Sequence, residues 1–165
     1  MSIAEATPAT TGTDSILIAP HGGTLIDRLA PVDARQDLEA RAHGLTAVAL
    51  DDRALADIEC IATGVYSPLI GFMTQNDYRR VVHEMRLANG LPWSIPVVLT
   101  VDEPVAVEIG TGDDVTLTHA GQPVAIMTVE DIFRRQRQQE AESVYRTSDL
   151  MHQCGAAMHE GSDIC

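Results

Sequence analysis

At 165 residues the chain has the length of one domain, or of one domain with tails, and can bury about 68–70% of its unfolded surface. Its apolar share of 45% and charged share of 21% are those of a globular protein. Eleven basic against 24 acidic residues give a formal charge of −13, which repels phosphate backbones and anionic membrane surfaces and so argues against nucleic-acid and membrane partners.

Residues 1–14 are rich in Ala, Thr and Ser and read as a disordered lead-in. Order is expected from Ile16-Leu17-Ile18, before Pro20-His21-Gly22-Gly23. Residues 33–43 are helix-compatible, with Leu38 as the main apolar anchor and Gly44 as the stop. Val48-Ala49-Leu50 is a short strand. Asp51 or Asp52 can cap the next helix, whose apolar face is Leu55, Ile58 and Ala62 and which ends at Gly64. The stretch from Cys60 to Asn76 is uncharged but holds Gly64, Pro68 and Gly71, so it reads as a loop-rich, largely buried segment with Phe72 in the core, not as a membrane span.

Thr74 and Asp77 have the spacing of a capping box, with Asp in place of Glu. Tyr78, Val81, Val82 and Met85 then follow helical periodicity, and Asn89-Gly90 signals a turn. Beyond it the period changes. Ile95–Val101, Val105–Ile109, Val115–Thr118 and Pro123–Val129 are β-prone runs, the last three of them at hairpin-like spacing. A polar helix is expected after Val129, with Ile132, Phe133, Ala141, Val144 and Tyr145 as its apolar set. Helices first and strands later predict an α+β domain with a small antiparallel or barrel-like sheet.

Few residues carry chemistry. All basic residues are Arg; the missing Lys excludes Schiff-base catalysis and a Walker A loop. Gly22-Gly23 can form an anion-binding nest, but a Gly pair more often makes a turn. His152, Cys154, His159 and Cys165 are metal-capable types without a tight Cys-x-x-Cys pair. Cys60, Cys154 and Cys165 are too few and too scattered for a disulfide framework, Cys60 reads as a small buried hydrophobe, and no signal peptide is visible, so a reducing cytoplasm is expected. The adjacent carboxylates Asp51-Asp52, Asp113-Asp114 and Glu130-Asp131 diverge on a helix or strand and do not converge on one site. The first reads as a cap, the second as a turn. Arg134, Arg135 and Arg137 read as a solvated helix face, with docking of an acidic partner as the alternative. No nucleophile–base arrangement has a recognisable local context.

Several segments, in order, resemble ATP sulfurylase (sulfate adenylyltransferase). Pro20-His21-Gly22-Gly23-Thr24-Leu25 looks like its start. Gly64-Val65-Tyr66-Ser67-Pro68-Leu69-Ile70-Gly71-Phe72-Met73, then Asp77-Tyr78, resembles its Gly-Phe-Ser-Pro-Leu-x-Gly-Phe-Met…Asp-Tyr signature. Met85 to Gly90, Trp93 to Val97, Thr128 to Phe133 and the stretch from Glu140 to Asp149 continue it.

The resemblance implies a PUA-like pseudo-barrel of short, mostly antiparallel strands with flanking helices over residues 15–149, the N-terminal domain of that family. Ser67, Pro68, Leu69, Gly71, Phe72, Met73, Asp77 and Tyr78 would be its structural signature. The complete enzyme joins ATP and sulfate into adenosine 5′-phosphosulfate and pyrophosphate through Gln-x-Arg-Asn and His-x-x-His motifs of a following domain. Neither motif occurs here, so no catalytic, cofactor or metal residue is carried over. Residues 150–165 depart from the family pattern and read as a truncated or diverged linker toward an absent catalytic domain. That domain, in cis or trans, would be the partner, with a homo-oligomer as a further expectation. The alternative is an autonomous PUA-like binding module.

Overall fold

The computed structural model describes residues 18–146 and 162–165. A single 3-10 turn at Val32–Ala34 leads into α1 (Arg35–Ala42). Then come β1 (Thr46–Ala49), α2 (Asp52–Ala62), α3 (Gln75–Glu84) and α4 (Glu103–Glu108). The hairpin β2 (Asp114–His119) and β3 (Gln122–Thr128) follows. A short α5 (Arg137–Glu140) continues as a π-helical turn, Ala141–Tyr145. The domain is α+β.

The three strands form one sheet in the order β1-β2-β3. β2 and β3 pair antiparallel through a two-residue turn, and Ala120 and Gly121 both have positive φ (49° and 76°). That is the backbone a tight hairpin needs to match the right-handed strand twist. β1 pairs with β2 in parallel, Thr46 opposite Val115. A parallel pair needs a long crossover, and here the chain from α2 through α4 supplies it. Among the described residues the sheet is therefore open, with one parallel and one antiparallel pairing, where short and mostly antiparallel strands were expected.

The central strand is covered on both sides. Val115 and Leu117 (1% and 0% exposed) face the larger core with Val48, Leu99 and Val129. Thr116, 2% exposed, points to the opposite face and donates to the Ala42 carbonyl at 2.7 Å. This bond satisfies a buried hydroxyl and docks the end of α1 on the sheet. Ala42, not Leu38, is thus the buried residue of α1. The asymmetric coat explains why β2 lacks the clean alternation of a half-exposed strand.

Local signals were realised unevenly. Asp51 caps α2, its Oδ1 accepting from Ala54 N at 2.7 Å. Gly64, φ +80°, follows the helix end. In contrast, Val105–Ile109 is not a strand: most of it lies in α4, where extended Asp102 precedes Glu103 and Pro104 in the first turn. Proline there loses no needed hydrogen bond and starts a helix well. Ile95–Val101 is extended without a ladder, and Val101 alone bridges, to Ile164. Ile132 and Phe133 precede α5 in irregular chain. Residues 162–165, assigned from sequence to a linker, lie in the fold: Ile164 is 8% exposed, and Cys165 exchanges backbone hydrogen bonds with Phe133, both at 2.9 Å.

Candidate functional site

The signature segment ties distant parts of the chain together. Ser67 is buried; its hydroxyl donates to the Gly64 carbonyl at 2.6 Å and accepts from Ile26 N at 3.0 Å. Arg28 N bonds the Ala62 carbonyl at 2.9 Å, so residues 26–28 form a strap across the end of α2. Pro68 follows a cis peptide bond and lies under Gly22. Leu69 is buried in a second core cluster with Ile61, Met73 and Val81. Met73 pairs with the extended stretch: its N donates to the Val97 carbonyl at 2.9 Å, and its sulfur accepts from Val97 N at 3.5 Å. Phe72 is half-buried and packs against both this cluster and the sheet cluster. Gly71 is half-buried, with open space where a Cβ would stand. The segment is not uniformly buried, because Val65 and Ile70 are 71% and 58% exposed.

At α3 the expected capping box does not form. Thr74 is the N-cap residue, but its side chain makes no capping bond. Asp131 Oδ2 accepts from Gln75 N at 2.9 Å instead, a cap supplied from across the fold. Asp77 turns away and accepts from Ala88 N at 2.6 Å, pinning the turn that contains Asn89-Gly90. Met85 is no part of the apolar face; it ends the helix in the left-handed region, φ 53°, and is exposed. A cavity of about 540 Å³ lies between this segment, α2 and β3, and Asp77 and Asp131 are on its wall. Both carboxylates are already committed to backbone N–H groups.

Tyr78 enters a buried polar network. Its hydroxyl donates to Glu140 Oε2 at 2.9 Å and accepts from Gln136 N at 3.2 Å. Arg135 grips the same carboxylate in a fork, Nη2 to Oε1 at 2.9 Å and Nε to Oε2 at 3.2 Å. Their side chains are 11% and 2% exposed. Burial opposes the Arg135 charge most strongly, but the Glu140 charge and hydrogen bond, with Cys165 and Tyr78, together hold the guanidinium above its ordinary value. Burial, then the Glu140 charge, holds the Tyr78 phenol well above the tyrosine range. Burial also pushes the Cys165 thiol up to about 12, against the pull of Arg135. A second, smaller pair joins Tyr66 Oη to Asp57 Oδ1 at 3.2 Å. Burial raises Asp57, and burial followed by Asp57 raises Tyr66 to about 12.

Sequence reasoning missed the buried network. Arg135 and Arg137 are not a solvated face: Arg135 is inside, and the 14%-exposed Arg137 side chain pairs with Asp163. Arg134 alone of the three is open, at 69%. The available signal was Glu140 five residues after Arg135, a pair that becomes visible only once Tyr78 is placed beside it.

The other candidates resolve singly. Gly22 and Gly23 both have positive φ, and Gly23 N turns back to the Pro20 carbonyl at 2.8 Å, so the pair makes a turn. Asp113 accepts from Gly110 N, as a turn residue does, while Asp114 holds Arg41 and Thr128. Cys60 is half-buried. His152, Cys154 and His159 lie outside the described residues. Among the described residues no three His, Cys, Asp or Glu side chains are grouped for a metal, and no helix is long and apolar enough to cross a membrane.

Ser67, Asp77, Tyr78 and Asp131 each hold a distant part of the chain by hydrogen bonds. Residues 18–165 match the family model described as the PUA-like domain, and the chain belongs to that family. It is 49% identical over 136 residues to the sulfate adenylyltransferase of Acaryochloris marina, covering 82% of this chain and 35% of that protein. It is 45% identical over 133 residues to the sulfate adenylyltransferase of Hyperthermus butylicus, covering 81% and 34%. A solved structure described as a hexameric APS kinase from Thiobacillus denitrificans matches with a TM-score of 0.66 and 33% identity, over 73% of this chain and 24% of that one. The chain thus spans about a third of the length of these curated relatives and matches their N-terminal domain.

Proposed function

We propose that the chain serves as the N-terminal structural domain of a sulfate adenylyltransferase and is inactive alone. In the complete enzyme a sulfate oxygen attacks the α-phosphorus of ATP and pyrophosphate leaves, giving adenosine 5′-phosphosulfate. The catalytic residues and the ATP and sulfate sites belong to a second domain, which this one packs against in cis or in trans, within a homo-oligomer in the cytoplasm. The observation that carries the reading is the 49% identity over 136 residues to one third of a sulfate adenylyltransferase. The geometry agrees with it. Ser67, Pro68, Leu69, Gly71, Phe72, Met73, Asp77 and Tyr78 act as a structural staple, joining the strap, the Val97 stretch, the turn after α3 and Glu140. The extended Ile95–Val101 stretch, bridged through Val101 to Ile164 and from there to Arg134, serves as the remaining wall of a pseudo-barrel. The domain proper extends over the matched residues 18–165.

The test uses the purified chain and the A. marina sulfate adenylyltransferase trimmed of its matching third. Pyrophosphate release from ATP and sulfate is measured for each alone and for the mixture, with light scattering for association. The expected result is no turnover by the chain alone and a complex whose activity exceeds that of the trimmed enzyme. Turnover by the chain alone, or no association at micromolar concentrations, overturns the reading.

A further inference from the structure

α3 and the chain before and within α5 enclose a groove of about 390 Å³. Gln75, Arg79 and His83 stand at i, i+4 and i+8 on one face of α3, and Arg134, Gln136 and Gln139 form the opposite wall. Tyr78 and Val82, both 4% exposed, make the floor. Among the described residues no carboxylate lines this groove, in a chain with 24 acidic and 11 basic residues. Among the described residues the Arg79 guanidinium has neither an ion-pair nor a hydrogen-bond partner. Arg134 has only Glu103, at 3.5 Å, with both side chains largely exposed; such a pair contributes little and is easily exchanged.

The walls are held at fixed separation. Tyr78 on α3 donates to Glu140 on α5 and accepts from Gln136 N, while Arg135 clamps both Glu140 oxygens. The cations are therefore mounted on a braced frame, which reduces the ordering cost of binding. All six wall side chains can donate hydrogen bonds, and guanidinium groups match the oxygens of a tetrahedral anion. The Tyr78 ring in the floor is packed against Phe133 with centroids 5.3 Å apart, so it offers no open face for a base to stack on.

We infer that this groove is an anion site that takes a tetrahedral dianion, a sulfate or phosphate group, between Arg79 and Arg134. The inference is independent of the sulfurylase reading. The net charge of −13 opposes any anion at long range, so binding rests on these local donors and weakens as salt rises.

The experiment is a two-dimensional amide NMR titration of the full chain with sodium sulfate, with adenosine 5′-monophosphate, and with sodium chloride at matched ionic strength. The expected result is saturable shifts in Arg79, His83 and the side-chain amides of Gln75, Gln136 and Gln139 with sulfate, and none with chloride. The double variant Arg79→Gln/Arg134→Gln, altered at exposed positions, is expected to bind at least about ten-fold more weakly, since each loses charge-assisted hydrogen bonds, with the rest of the spectrum unchanged. Saturation by sulfate assigns the site to the free ion; saturation by the nucleotide alone assigns it to a phosphate ester. Shifts that match those of chloride, scatter over the surface, or survive the double variant overturn the proposal.

Discussion

Tyr78 donates its phenolic proton to Glu140 across 62 residues of sequence, and Arg135 holds both oxygens of the same carboxylate. A charge removed this fully from water is tolerable only while each partner is present. Glu140→Gln leaves the Arg135 guanidinium buried without its counter-charge and is expected to cost about 3–5 kcal/mol. Tyr78→Phe deletes one donor and keeps the ion pair, for about 1–3 kcal/mol. Urea unfolding of both variants checks the order; a Tyr78→Phe loss as large as that of Glu140→Gln would show that the ion pair is not the dominant element.

The same network shows why part of the fold was hidden in the sequence. Asp51 as a cap and the β2–β3 hairpin are local, readable from a few adjacent residues. Glu140, Arg135 and Arg137 look like any charged surface until α3 and residues 162–165 are brought to them. Val105–Ile109 misled for another reason: its β-branched residues outweighed the Asp102-Glu103-Pro104 start that nucleates α4. The parallel pairing of β1 with β2 lies beyond any local pattern, since it depends on everything packed between them. The signature segment was legible as a unit through its family resemblance, but which partner each residue holds was not.

Capping of α3 gives a direct test of a cap drawn from a distant residue. Asp131→Ala removes the acceptor of Gln75 N and is expected to cost about 1 kcal/mol. Thr74→Ala, whose hydroxyl makes no capping bond, is expected to cost a few tenths at most. Thermal melts of the two variants decide; the reverse order would restore the local capping box.

Alkaline pH should weaken the fold. The Cys165 thiol and the Tyr66 phenol both rise to about 12 on folding, from 9.0 and 10.0. Between those values the native state binds more protons than the unfolded chain, so stability decreases with pH there. Below pH 9 this contribution is complete; it is lost progressively toward pH 12. Urea midpoints taken from pH 8 to 11.5 are expected to fall, and Cys165→Ser, which has no titrating thiol, to fall less steeply. Parallel slopes for the two proteins would exclude Cys165 as a source.

Packing predictions separate Phe72 from the central strand. Leu117 is fully buried, and Leu117→Ala is expected to cost the upper part of the about 2–5 kcal/mol range for such cavities. Phe72 is only half-buried, though it touches two clusters, so Phe72→Ala is expected below the about 3–5 kcal/mol of a fully buried ring. Chemical unfolding that ranks Phe72→Ala above Leu117→Ala would mean the junction between clusters matters more than the sheet core.

Gly64 is the position where the backbone leaves least choice. It has φ +80°, and a Cβ there would stand 2.2 Å from the Ile26 carbonyl oxygen and 2.8 Å from Leu25 Cδ1. The first is backbone of the strap, so a side chain cannot be accommodated by a rotamer change. Gly90 has a similar φ, +88°, with open space around its Cβ position. Gly90→Ala therefore carries only the left-handed penalty, about 1–2 kcal/mol, whereas Gly64→Ala carries that penalty and must also lift residues 25–26 away from Ser67. Limited proteolysis distinguishes the two. Gly64→Ala is expected to open the chain near residues 25–30 to cleavage while the sheet stays protected, and Gly90→Ala to leave that strap intact. Equal protection of the strap in both variants would mean that it is not held down at Gly64 and Ser67.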